Sequence, residues 1–90
     1  MPFYTYILYD KNRDQFYIGQ TNDIDKRVKR HNQGREKYTK RGKWELVHFE
    51  KFETRSAAIK QEKQIKQMKS KMWIKKLIKN AQLVEHSDTR

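Results

Sequence analysis

The sequence predicts an α+β domain of layered type, a small three-stranded antiparallel sheet flanked by helices in the order ββαβαα. Three observations predict it. Two runs rich in β-branched and aromatic residues, Phe3 to Tyr9 and Gln15 to Gly19, bracket the polar turn Asp10-Lys11-Asn12-Arg13-Asp14. Apolar residues recur at helical spacing after the capping residues Asn22 or Asp23, Thr54 and Ser70. A chain of 90 residues is long enough for one compact domain and too short for two.

The first two runs read as a hairpin. If Asp10 pairs with Gln15 across a four-residue loop, Tyr17 falls opposite Leu8 and diagonal to Tyr6, so both tyrosines project from one face. After the cap at Asn22 or Asp23, Ile24, Val28 and His31 share a helix face, with Arg27 on its shoulder. This helix is expected to stop near Gly34, leaving Arg35 to Lys43 as a basic loop that carries Tyr38. Trp44 to Phe52 mixes aromatic, β-branched and charged residues and reads as the third strand. Thr54 is suited to cap a helix from Arg55 to Met68, and Ser70 one running through Met72, Trp73, Leu77 and Ile78 to about Asn80. Beyond that point periodicity fades, so the domain is expected to occupy residues 1–80 and a loosely ordered tail residues 81–90.

Composition narrows the function. Twenty-two Lys and Arg stand against eleven Asp and Glu, a net charge of +11. That excess in so short a chain is the footprint of a polyanionic partner, first of all nucleic acid. No apolar run is long enough to span a bilayer, and the amino terminus lacks the apolar stretch of a secretory signal. Without cysteine, neither a disulfide framework nor a thiolate metal site is available. These features predict a soluble, cytoplasmic protein that does not engage membranes.

From Thr54 to Asn80 there are nine Lys or Arg and one acid, Glu62. Helical projection puts Glu62 between Ile59 and Ile65 and on the side of Ala58, the face expected to turn toward the sheet. A carboxylate there would cost several kcal/mol if left unpaired, on the order of general desolvation costs. It needs either a basic partner such as Arg27 or a bound cation. Tyr6 and Tyr17 taken singly are ordinary strand aromatics, but both lie close to Gly19, which would allow a phosphate to approach. Arg27 alone would be a solvated helix cation paired with Asp23, and His31 a satisfied helix-end histidine. The helix lysines, Lys63 and Lys66 among them, are too poorly balanced by acids to serve only as solubilising charge, and some are expected to meet backbone phosphate. Tyr38 and Trp44 are candidates for stacking on unpaired bases, which would favour single-stranded or distorted DNA.

The stretches Tyr4-Thr5-Tyr6-Ile7-Leu8, Phe16-Tyr17-Ile18-Gly19-Gln20-Thr21-Asn22 and Asp23-Ile24-Asp25-Lys26-Arg27 through His31-Asn32, continuing to Glu62, resemble the core of the GIY-YIG nuclease superfamily. The likeness is greatest to its small, stand-alone, single-domain branch and covers roughly residues 3 to 79. The first motif matches only at Tyr6. Gln20 stands where several branches carry a lysine, and Gly34-Arg35-Glu36-Lys37-Tyr38-Thr39 resembles the branch's loop ending in Lys-Tyr-Thr with one residue more.

The resemblance implies a divalent-metal-dependent DNA endonuclease with Glu62 as the ligand of Mg²⁺ or Mn²⁺ and no small-molecule cofactor. It implies a proton acceptor in Tyr6, positioning of water or phosphate by Tyr17, charge neutralisation by Arg27 and assistance in proton transfer by His31. Gly19, Gln20, Lys37, Tyr38, Lys63 and Lys66 are the expected nucleic-acid contacts. The family chemistry leaves 5′-phosphate and 3′-hydroxyl ends. The limited contact surface of so small a domain leaves room for a protein partner in targeting, and repair, recombination and DNA uptake are the settings such an endonuclease implies. A non-catalytic nucleic-acid-binding module on the same fold is the alternative, and a small RNA-associated protein resembling a ribosomal accessory factor fits the charge alone.

Overall fold

The computed structural model describes residues 2–34 and 42–88. The elements follow the expected order: β1 Phe3–Asp10, β2 Gln15–Thr21, α1 Ile24–Asn32, β3 Glu45–Phe52, α2 Arg55–Met68 and α3 Lys71–Asp88. The strands form one antiparallel sheet in the order β2-β1-β3, so β2 and β3 are its edges.

The hairpin register is the one in which Asp10 closes a four-residue loop with Gln15. Asp10 pairs with Gln15, Leu8 with Tyr17 and Tyr6 with Gly19. Asp10 holds the turn from within, accepting the Asn12 N–H at 3.0 Å on its carboxylate and the Arg13 N–H at 3.3 Å on its carbonyl. Asp14 closes the turn at φ 51°, in the left-handed region that aspartate tolerates better than most residues. Its carboxylate accepts the Tyr9 hydroxyl at 2.7 Å and pairs with Lys71 and Lys75 at 3.5 and 3.4 Å, tying the turn to α3.

Alternation along β1 splits the apolar residues into two layers. One layer packs Ile7 and Ile18 against Ile65 of α2 and Ile74 of α3, with Phe16, Val47, Trp73, Leu77 and Ile78 around them. The other packs Tyr6, Leu8 and Trp44 with Tyr17 and with Val28 of α1. Full burial of each aliphatic side chain contributes about 1.5–3 kcal/mol before conformational entropy is counted. A register shift between Ile7 and Leu8 pairs them with His48 and Leu46 respectively, and Val47 is the extra residue on β3.

Caps end the helices where expected. The Asp23 carboxylate accepts the Lys26 N–H, the Thr54 hydroxyl the Ala57 N–H, and the Ser70 hydroxyl the Trp73 N–H. The C-terminal end of the molecule departs from expectation: α3 continues to Asp88 instead of stopping near Asn80. No glycine or proline interrupts Lys71 to Asp88, and once a helix is nucleated each added residue extends it at little cost. At the other end of β3, Trp44 lies just outside the strand. Its backbone N–H and C=O are both paired by the Asn32 side-chain amide, at 2.8 and 3.1 Å.

Candidate active site

Tyr6 is the centre of the candidate site. It projects from β1 toward α1, is 1% exposed, and its hydroxyl lies 3.0 Å from Nε2 of His31, which is itself fully buried. Tyr17 of β2 flanks the pair, with its ring centroid 4.5 Å from that of His31 and 6.3 Å from that of Tyr6. Strand alternation puts both tyrosines on one face, and α1 lays His31 across them because Val28 anchors the preceding turn in the same apolar layer. Trp44 closes the far side, 6.5 Å from Tyr17 and nearly perpendicular to it. At 6% exposure it is a core residue, and the stacking role expected of it is corrected accordingly.

The hydrogen bond between phenol and imidazole can run in either direction. When His31 carries its proton on Nδ1, Tyr6 donates to Nε2, and the imidazole is placed to receive the phenolic proton. Arg27 is half-buried on α1, one turn before His31. The Asp23 carboxylate accepts the Lys26 N–H through Oδ1 as the cap of α1.

Gly19 acquires a different explanation from the one its sequence context suggested. It lies directly across the ladder from Tyr6, and a Cβ at this position would come within 2.6 Å of the Tyr6 hydroxyl oxygen. The missing side chain makes room for the Tyr6 ring, and Gly19 is buried beneath it. Gln20, the next residue, points to the other face of the sheet. There its side-chain oxygen accepts from Arg55 of α2 at 3.3 Å, and the Arg55 guanidinium in turn lies 4.7 Å over the Phe3 ring.

Glu62 belongs to that second layer. Thr5, adjacent to Tyr6 and so on the opposite face, donates its hydroxyl to the Ala58 carbonyl at 2.7 Å, and Ile65 packs on Ile7 and Ile18. Glu62 and Gln61 occupy opposite shoulders of the buried line from Ala58 to Ile65. Gln61 donates to Glu50 of β3, so Glu62 leans toward the β2 edge of the sheet. Its side chain is 18% exposed, and Oε2 lies 2.6 Å from the Lys66 ammonium one turn on. The basic partner anticipated for this carboxylate is therefore Lys66, not Arg27. Lys66, expected to contact nucleic acid, is engaged inside the helix, while Lys63 stands exposed beside it. Lys37 and Tyr38 lie outside the described residues.

A single half-buried carboxylate that already attracts a cation fits Mg²⁺ or Mn²⁺, which take one or two carboxylates and fill their remaining positions with water and phosphate oxygens. Among the described residues, no group of three or more His, Cys, Asp or Glu converges to form a denser site. Nothing in local sequence signals the Asn32 clamp on Trp44 or the network of His48, Glu50 and Gln61 on the α2 side. Each of these joins residues from separate elements.

The comparisons agree with this architecture. A family model described as the GIY-YIG catalytic domain matches residues 2–77. The UPF0213 protein HQ_3675A of Haloquadratum walsbyi is 46% identical over 65 residues, covering 70% of this chain and 72% of that one. The UPF0213 protein CPE1444 of Clostridium perfringens is 42% identical over 82 residues, 89% and 77% of the two chains. Among solved structures, the solution NMR structure of the UPF0213 protein BH0048 from Bacillus halodurans superposes with a TM-score of 0.56. It is 34% identical and covers 88% of this chain and 84% of its own.

Proposed function

The chain belongs to the GIY-YIG catalytic-domain family, a family of nucleases, and from that premise we propose that it is a divalent-metal-dependent endonuclease that hydrolyses phosphodiester bonds of DNA. The observation that carries the reading is the buried hydrogen bond between Tyr6 and His31 beside Tyr17. A core needs no such polar pair for packing, whereas hydrolysis needs a group able to take a proton from water.

In this reading Tyr6 accepts the proton of the attacking water and His31 takes the phenolic proton onward. Tyr17 orients water or phosphate above them. Arg27 neutralises charge that builds on the non-bridging oxygens, for which its planar fork is suited. Glu62 holds the divalent ion, which when bound supplies charge stabilisation at the phosphate and at the leaving oxygen. Because β2 is an edge strand, a nucleic-acid strand running along its free edge meets half-buried Tyr17 on one face of the sheet, with Tyr6 behind it, and Glu62 on the other. Lys63 and its neighbours on the helices then meet backbone phosphate, without base specificity. Products carry 5′-phosphate and 3′-hydroxyl ends, and the protein works in the cytoplasm on single-stranded or distorted DNA, in repair, recombination or uptake. Among the described residues no helix is long and apolar enough to cross a membrane.

The test is cleavage of labelled single-stranded, duplex and branched DNA, with RNA in parallel, in Mg²⁺, Mn²⁺ and chelator. Wild type is expected to cut only with metal, and Glu62→Ala and Arg27→Ala to bind without cutting. Salt-sensitive binding with no cutting in any metal would instead make the protein a binding module on this scaffold.

A further inference from the structure

The exposed large apolar side chains among the described residues fall into two pairs, one in a groove lined by two aspartates and the other beside lysines. Leu46 and Phe49, 38% and 53% exposed, lie on the edge strand β3. With Tyr4, Asp23, Ile24 and Asp25 they line a groove of about 340 Å³. The Tyr4 and Phe49 rings form its aromatic wall, 6.0 Å apart and inclined at 71°, and the two aspartates its acidic rim. Aromatic rings beside carboxylates recognise an apolar segment flanked by ammonium groups. Met68 and Met72, 45% and 69% exposed, stand at the corner between α2 and α3. Lys69 turns the chain there and Lys76 lies one helical turn beyond Met72, both exposed. Methionine is the apolar side chain best able to adapt to an irregular groove.

We infer that the acidic groove beside Phe49 receives the basic Met68–Met72 corner of a second copy of this chain, in a head-to-tail contact. The two surfaces lie in opposite layers of the molecule, one beside α1 and the other at the α2–α3 corner, so one chain does not satisfy both by folding on itself. A two-fold contact that seats each groove on the other chain's corner would need both surfaces on one side of the molecule, and they lie in opposite layers. A head-to-tail contact brings unlike charge together and leaves one surface open at each end for the next copy. The net charge of +11 opposes association at long range, but at physiological salt that repulsion is screened beyond about 8 Å while contact pairs are not. The inference is independent of whether the chain cuts nucleic acid.

The chain has no cysteine, so single cysteines report contacts without background. Phe49→Cys and Met72→Cys proteins, mixed and oxidised at physiological salt, are expected to give the mixed disulfide dimer. Its yield should exceed that of a Gln64→Cys control by about tenfold or more, the advantage of docked over colliding partners. Asp25→Lys in the Phe49→Cys protein should reduce that yield severalfold. Disulfide between two Phe49→Cys chains or between two Met72→Cys chains in preference to the mixed pair overturns the inference, as does a mixed yield no greater than the control. Circular dichroism of each variant establishes that the fold persists.

Discussion

Tyr6 and Gly19 face each other across the β1–β2 ladder, and the phenol of the one occupies the space that a Cβ on the other would fill. The relation between the two is steric, and it makes the position of the Tyr6 hydroxyl depend on a residue with no functional group. Gly19→Ala should therefore displace the ring, break the hydrogen bond to His31 and destabilise the fold by about 1–3 kcal/mol, the usual cost of overpacking. Urea denaturation reads the stability and the His31 imidazole NMR signals read the contact. An alanine variant with wild-type stability and unshifted signals would contradict this.

Lys66 and Glu62 form an ion pair through Oε2, and the divalent ion proposed at Glu62 competes with it. Removing the competitor while keeping apolar bulk, as in Lys66→Met, should tighten Mn²⁺ binding by up to about fivefold, since exposed pairs are worth at most about 1 kcal/mol. Calorimetric titration measures it, with Glu62→Gln as the variant that abolishes binding. Equal affinity in wild type and Lys66→Met would mean that the metal does not use this carboxylate.

Asn32 pairs both backbone groups of Trp44. Asn32→Ala leaves them without that partner and is expected to cost about 1–3 kcal/mol. Emission of Trp44, followed in a background where Trp73 is Phe, should shift to longer wavelength as the indole gains solvent. An unchanged spectrum together with unchanged stability would show that the clamp is dispensable.

The Asp14 carboxyl is held below its ordinary value first by the Tyr9 hydroxyl and then by Lys75 and Lys71, and the Glu50 carboxyl first by His48 and then by Gln61. A group whose folded value is depressed contributes stability that is present above its unfolded value and is lost as pH falls through the folded one. Stability should accordingly fall as pH drops below the ordinary values of 4.5 for Glu50 and 3.8 for Asp14. Asp14→Asn, which tolerates the same backbone conformation, should flatten that slope. Thermal melts across the acid range provide the measurement, and parallel slopes for the two proteins would rule Asp14 out as a contributor.

Lys69 ends α2 in the left-handed region at φ 49°. Glycine at this position relieves a conformation unfavourable to side chains, so Lys69→Gly should raise stability by about 1 kcal/mol. A denaturation midpoint that fails to rise would show that the lysine makes a compensating contact.

Sequence alone determined the order of the elements, the caps at Thr54 and Ser70, the shared face of Tyr6 and Tyr17 once Asp10 pairs with Gln15, and the shared helix face of Val28 and His31. All of these rest on local rules: turn chemistry, alternation along a strand, and spacing along a helix. The structure chose that pairing of Asp10 with Gln15, and chose Asp23 over Asn22 as the cap of α1. Tertiary structure alone decided that α1 covers one face of the sheet and α2 the other, placing Glu62 across the β2 edge from the tyrosines. It also decided that Lys66 partners Glu62, that Gly19 exists to admit Tyr6, and that Asn32 holds Trp44. The physical reason is that a helix carries its apolar stripe in its own sequence. The face of a sheet on which that stripe comes to rest depends on the volumes and hydrogen-bonding needs of residues far away in the chain.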